Sequence, residues 1–228
     1  MRKKDKFYGG FFKFCRFNAN LFAHKLKYKN KPKVYDEPVV YVCRHLNMHG
    51  SLTVARSFKK DVHIFVLHNF FTKEEAYQHF LNNSFKDKKN KKFLANFAGT
   101  FVPKIINSGK FIPVYRGDDK RSFLTIKTAF EYLNKGQSLA VFPDKTYKAK
   151  YGEPSDIYSG FIILEKMYYK KFKQHLKFVP LVLDDKNRTI IEKSPIMFSD
   201  EPSFDEQFEK IKQEIINQID YKNQENLN

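Results

Sequence analysis

Phe111-Ile112-Pro113-Val114-Tyr115-Arg116, the run from Ser122 to Lys135, and Leu139-Ala140-Val141-Phe142-Pro143-Asp144 together decide the fold. Phe111 to Tyr115 is a short apolar run and reads as a strand. From Ser122 to Lys135, Phe123, Ile126, Phe130 and Leu133 share one helical face, and Gly136 is placed to end the helix. Leu139 to Phe142 is a second strand, and Pro143 turns the chain out of it. Strands that alternate with helices argue for an α/β layered domain.

The pattern continues on both sides. Val39 to Cys43 reads as a buried strand and Asp61 to Leu67 as another. Leu176 to Leu183 and Thr189 to Glu192 follow the same rule. Helices are expected over Glu74 to Asn82 and Ser159 to Tyr169. A last helix opens with Ser203-Phe204-Asp205-Glu206, a capping-box pattern, and Phe208, Ile211, Ile215 and Ile219 continue its apolar face. The expected architecture is an α/β layered domain with a mixed, mostly parallel central sheet flanked by helices. It covers residues 34–221, after an N-terminal amphipathic segment over 1–33 and before a frayed tail over 222–228. No internal repeat and no glycine-rich phosphate loop is present.

Charge narrows the partners. The 228 residues include 42 basic and 25 acidic ones, for a net charge of +17. So large a positive balance favours a polyanion: nucleic acid, an anionic membrane surface or a phosphorylated substrate. In the N-terminal segment eleven Lys and Arg side chains face a single acid, Asp5. Phe7, Phe11, Phe14, Leu21 and Phe22 fall near helical spacing there, although Gly9 and Gly10 weaken the helix. A helix with aromatic and basic faces suits the plane of an anionic bilayer; packing on the body of the domain is the alternative. The run Lys86 to Lys92 reads as a solvated loop or a second contact with phosphate headgroups.

Two cysteines, Cys15 and Cys43, suggest a reducing compartment rather than a disulfide framework. The basic start lacks the apolar core of a signal peptide, and no stretch approaches the ~20 apolar residues of a spanning helix. The expected location is cytoplasmic, at the inner face of the membrane.

The strand ends carry the chemistry. His45 directly follows a strand and suits a general base, since an imidazole titrates near working pH; a hydrogen-bonded structural histidine is the bland alternative. Cys43, His45 and His49 also raise a metal reading, but no further cluster with ligand spacing follows, and no metal or cofactor is expected. Arg116 at a strand end suits a phosphate, which its planar fork grips with two bonds, or else pairs with Asp118 or Asp119. Asp144 is either a functional acid or a turn aspartate.

Four segments in order, at Tyr41 to Gly50, Phe111 to Arg116, Val141 to Thr146 and Phe178 to Leu181, resemble the glycerolipid (lysophospholipid) acyltransferase family. 1-Acylglycerol-3-phosphate acyltransferases belong to that family. The resemblance spans about residues 38–184. It implies acyl transfer from a thioester, carried by coenzyme A or an acyl carrier protein, to a hydroxyl of a lysophospholipid or glycerol phosphate. His45 would be the base and Arg116 would hold the acceptor's phosphate. Asn47, Asp144 and Thr146 would bind the acceptor, and Pro180 would shape the pocket wall.

This chain departs from the family pattern. The aspartate that orients the family histidine falls on Gly50. Without it the base is expected to be weaker, unless His49 or a carboxylate from elsewhere takes over. The third block reads Asp144-Lys145-Thr146-Tyr147 instead of Glu-Gly-Thr-Arg, and Lys145 enters positive φ less readily than glycine. Beside the enzyme stand two other readings. One is an inactive lipid-binding relative of the same fold. The other is a nucleic-acid binder, against which the absence of any recognised DNA- or RNA-binding signature weighs.

Overall fold

The computed structural model describes residues 7–22, 26–45, 57–58, 61–117, 119–145, 156–184 and 187–219. Asn47, His49, Gly50, Asp118, Thr146 and the tail 222–228 lie outside the described residues.

Seven strands form one sheet: β1 (Lys27–Tyr28), β2 (Val39–Cys43), β3 (His63–Leu67), β4 (Ile112–Val114), β5 (Leu139–Val141), β6 (Lys177–Asp184) and β7 (Thr189–Glu192). Their order is β1-β7-β6-β2-β5-β3-β4. All neighbours are parallel except β6 and β7, which run antiparallel. The mixed, mostly parallel sheet flanked by helices is therefore as the sequence reads. β2 is flanked by β5 and β6 and all five of its residues are buried, as a near-continuous apolar strand should be. Phe178, Leu181 and Val179 of β6 are also fully buried. Each such side chain contributes roughly 1.5–3 kcal/mol through removal from water.

The chain divides into two compact units, one drawn from Met1–Ala23 and Phe65–Thr125, the other from His24–Ile64 and Ile126–Asn228. In the second unit the helix Leu164–Phe172 follows a 3-10 turn over Gly160–Ile163, and the helix Phe204–Ile219 buries Ile211, Ile215 and Ile219. Its start has the expected box: Ser203 N–H donates to Glu206 Oε2 at 2.9 Å. The helix Asp119–Asn134 ends as predicted, with Gly136 at φ 72° donating its N–H to Leu133 at 2.9 Å.

The first unit holds the helices Gly10–Phe22, Lys73–His79 and Lys91–Ser108. Lys73–His79 continues into a wider π turn over Phe80–Ser84, so the expected Glu74 to Asn82 helix is present but changes pitch. Lys91–Ser108 has no counterpart among the elements the sequence marks. Gly99 and Pro103 lower its helix propensity, yet both are buried with Ala95 and Ile106 on one face. A Cβ at Gly99 would lie 3.0 Å from the Tyr77 backbone, so the two helices pack closely there.

The N-terminal helix forms over Gly10–Phe22, and the rings it buries lie outside the set that the sequence spacing picks out. Phe12 and Tyr8 are buried, with the Phe12 ring 5.4 Å from Phe111, while Phe11, Phe14 and Leu21 point outward. Gly9 permits the approach: its N–H donates to Ser108 at 2.7 Å, where a Cβ would clash. The reason that Phe12 is buried is tertiary. The Lys91–Ser108 helix and Phe111 supply a partner surface for Phe12 that periodicity alone cannot locate.

Candidate active site

His45 and Asp144 meet because two parallel strands end level. β2 and β5 are paired so that Val42 lies opposite Val141. His45 is three residues beyond Val42 (45 − 42 = 3), and Asp144 is three beyond Val141 (144 − 141 = 3). Both thus leave the carboxyl edge of the sheet together. β3, β4 and β5 lie on one side of β2, with β6, β7 and β1 on the other. Open α/β sheets place their ligand crevice where the strand order reverses in this way.

The contact is specific. Asp144 Oδ2 accepts the His45 backbone N–H at 2.7 Å and lies 3.2 Å from His45 Nδ1. The Asp144 side chain is 4% exposed and that of His45 14%. Arg44 Nε lies 3.7 Å from the other carboxylate oxygen. A buried carboxylate needs such neighbours, since an uncompensated one costs several kcal/mol. The Phe142 ring, 5.0 Å from the imidazole, forms an apolar wall. With Nδ1–H donated to Asp144, the lone pair of the imidazole sits on Nε2, the tautomer a general base requires.

The turn after β5 is anchored from behind. Pro143 C=O accepts the Tyr158 N–H at 2.8 Å, and Lys145 N–H donates to Asp156 C=O at 3.2 Å. The Lys145 ammonium pairs with the Asp156 carboxylate, which this partner holds below its usual range. Lys145 is not among the positive-φ residues, so the backbone shape that favours glycine is not demanded of it.

Pro180 lies in mid-β6, buried and opposite Val42. Phe178 exchanges hydrogen bonds with Ile196 on the β7 side. Two residues on, Pro180 faces the same way, so its missing N–H falls between that bridge and the β6–β7 ladder. Its carbonyl accepts the Lys193 N–H at 3.0 Å. Arg116 lies in the turn after β4, before Gly117 at φ 72°. It belongs to the first unit, whereas His45, Asp144 and Pro180 belong to the second.

Cys43 is buried, and burial together with the nearby Asp144 pushes its thiol well above the usual range. It is a neutral core side chain at neutral pH.

Other histidines have different settings. His63 is fully buried in β3, stacked 3.6 Å from Tyr132, with Nε2 3.1 Å from Gln137 Oε1. His175 bridges the buried Glu165 (2.7 Å) and the exposed Asp200 (3.3 Å), but it precedes β6 and so lies at the opposite, amino edge of the sheet. Sequence reasoning missed Arg44 and the carboxylate role of Asp144 towards His45. The equal offset of the two residues from their strands was visible, but the pairing register that makes it matter was not.

No protein-family model and no curated protein matches the chain. Among solved structures it is similar to the crystal structure of the 1-acyl-sn-glycerophosphate (LPA) acyltransferase PlsC from Thermotoga maritima. The identity is 11% over 92% of this chain and 76% of that one, with a TM-score of 0.49. At that identity and score the likeness assigns no residue a role.

Proposed function

We propose that the chain is an acyltransferase that moves a fatty acyl group from a thioester to a hydroxyl. The observation that supports this best is the His45–Asp144 pair at the carboxyl edge of β2 and β5. In this reading Asp144 is a positioning residue for His45 rather than an acceptor ligand. It supplies the carboxylate that the first sequence block lacks at Gly50.

His45 Nε2 takes the proton of the acceptor hydroxyl as its oxygen attacks the thioester carbonyl carbon. A C–O bond forms, the C–S bond breaks, and the departing thiolate takes the proton back from the imidazolium. The products are an ester and a free thiol. Asp144 stabilises the imidazolium and holds its tautomer, and the Phe142 wall limits water at the base. The acceptor is a lysophospholipid or a glycerol phosphate, and the donor an acyl-CoA or acyl carrier protein. Arg116 holds the acceptor's phosphate, and Asn47, Thr146, Pro180 and His49 complete the pocket.

The test is thiol release from a panel of acyl thioesters, with lysophosphatidate, glycerol 3-phosphate and other lysolipids as acceptors. Acceptor-dependent release that disappears in His45→Ala is expected. Folded wild-type protein that releases no thiol with any acceptor would sink the proposal and leave lipid binding without turnover as the better reading.

A further inference from the structure

Arg44 takes no part in the proton transfer, yet its setting is unusual. It directly follows the five buried residues of β2, and its side chain is only 14% exposed. Charged side chains are seldom so buried unless they are paired. Its Nε lies 3.7 Å from Asp144 Oδ1. His45 takes the other oxygen, Oδ2, with both its backbone N–H and Nδ1. One carboxylate thus stands between a cation and an imidazole that come from adjacent residues of the chain.

The imidazole depends on the state of that carboxylate. An ionised Asp144 only accepts, so the single proton of a neutral His45 sits on Nδ1 and the lone pair on Nε2. A protonated Asp144 would instead donate its O–H to Nδ1. The imidazole proton would then sit on Nε2, the nitrogen that a general base needs bare. A buried carboxylate stays ionised only where charge or hydrogen bonds compensate it. On this edge Lys145 is turned to Asp156, and the Cys43 thiol beside Asp144 is neutral at neutral pH. Among the described residues, Arg44 is the cation that stands against Asp144.

We propose that Arg44 is a positioning residue that acts through Asp144: its charge keeps that carboxylate an acceptor, and so keeps the His45 lone pair on Nε2. At 3.7 Å the Nε contact is an ion pair, too long for a hydrogen bond. Charge therefore matters here more than the planar fork that distinguishes arginine from lysine. A lysine should serve at this position, and a neutral glutamine should not. The effect of Arg44 on rate rests on the acyl-transfer reading; its effect on the imidazole does not.

Full-length wild type, Arg44→Lys, Arg44→Gln, Asp144→Asn and the double variant Arg44→Gln/Asp144→Asn are compared. Nitrogen-15 magnetic resonance at pH ~8, above the usual imidazole range, reports which nitrogen of His45 carries the proton. A His45→Gln protein identifies its signals among the seven histidines. Wild type and Arg44→Lys should carry the proton on Nδ1, and Arg44→Gln on Nε2. Thiol release by Arg44→Gln should fall about tenfold in kcat, with KM within about threefold of wild type. Arg44→Lys should recover kcat to within about threefold. The double variant should match Asp144→Asn in spectrum and, within about threefold, in rate, because the charge removed then has no carboxylate to act on. It also removes both partners at once, so it tests the route even if Arg44→Gln does not fold. A His45 proton that stays on Nδ1 in Arg44→Gln would overturn the proposal. So would a lysine variant as impaired as the glutamine one, or a double variant about tenfold below Asp144→Asn. A proton that moves to Nε2, in a protein whose wild type releases no thiol with any acceptor, would uphold the role of Arg44 and count against acyl transfer instead.

Discussion

Asp144→Asn isolates the charge that sits behind His45. The amide is nearly isosteric, and its oxygen still accepts the His45 backbone N–H now held at 2.7 Å, so the turn after β5 should survive. What disappears is the negative charge 3.2 Å from Nδ1. At an effective dielectric of about 20, that separation corresponds to about 5 kcal/mol of attraction to an imidazolium. Part of it is offset by the desolvation that the carboxylate no longer requires, leaving roughly 3–5 kcal/mol of transition-state stabilisation. The expected loss in kcat is therefore about two to four orders of magnitude, with KM within about threefold. Thiol release at saturating thioester and acceptor measures the first, and an acceptor titration the second. The substituted protein should unfold at nearly the same urea concentration as wild type. A kcat within about tenfold of wild type, from folded protein, would show that Asp144 does not support the base and refute the reasoning.

Gly50→Asp adds a carboxylate five residues after His45, but Asp144 already lies against Nδ1, so under the proposed function thiol release should stay within about threefold of wild type. Glu165→Leu removes the buried carboxylate that accepts the Leu176 N–H at 2.6 Å and faces His175 at 2.7 Å; urea unfolding should show a loss of about 2–4 kcal/mol, chiefly from the orphaned N–H and imidazole. Cys43 is buried with its thiol pushed up, and thiolate is the reactive form, so thiol reagents at pH ~8 should modify half-buried Cys15 and reach Cys43 only on unfolding, as mass mapping would show.

Local signals made much of the fold legible. Apolar runs at Val39 to Cys43, Leu139 to Phe142 and Leu176 to Leu183 are strands because buried parallel strands carry apolar residues on both faces. Gly136 and the Ser203–Glu206 box mark helix ends because a positive φ and an exposed N–H each demand particular residue types. The Lys91–Ser108 helix was less legible. Gly99 and Pro103 lower its helix propensity, and Gly99 sits where the helix comes close to the Tyr77 backbone.

By itself, the sequence determined the alternation of strands and helices, the strand ends that carry His45, Arg116 and Asp144, and the strong positive charge. Each depends on residues near in the chain or on simple composition. Tertiary structure alone decided that Asp144 meets His45 across 99 residues, because that contact depends on Val42 pairing with Val141. It also decided that Phe12 packs inward while Phe11 and Phe14 face out. A helical period shows which residues share a face, but the partner that covers one face comes from distant chain, and here it is Phe111 and the Lys91–Ser108 helix.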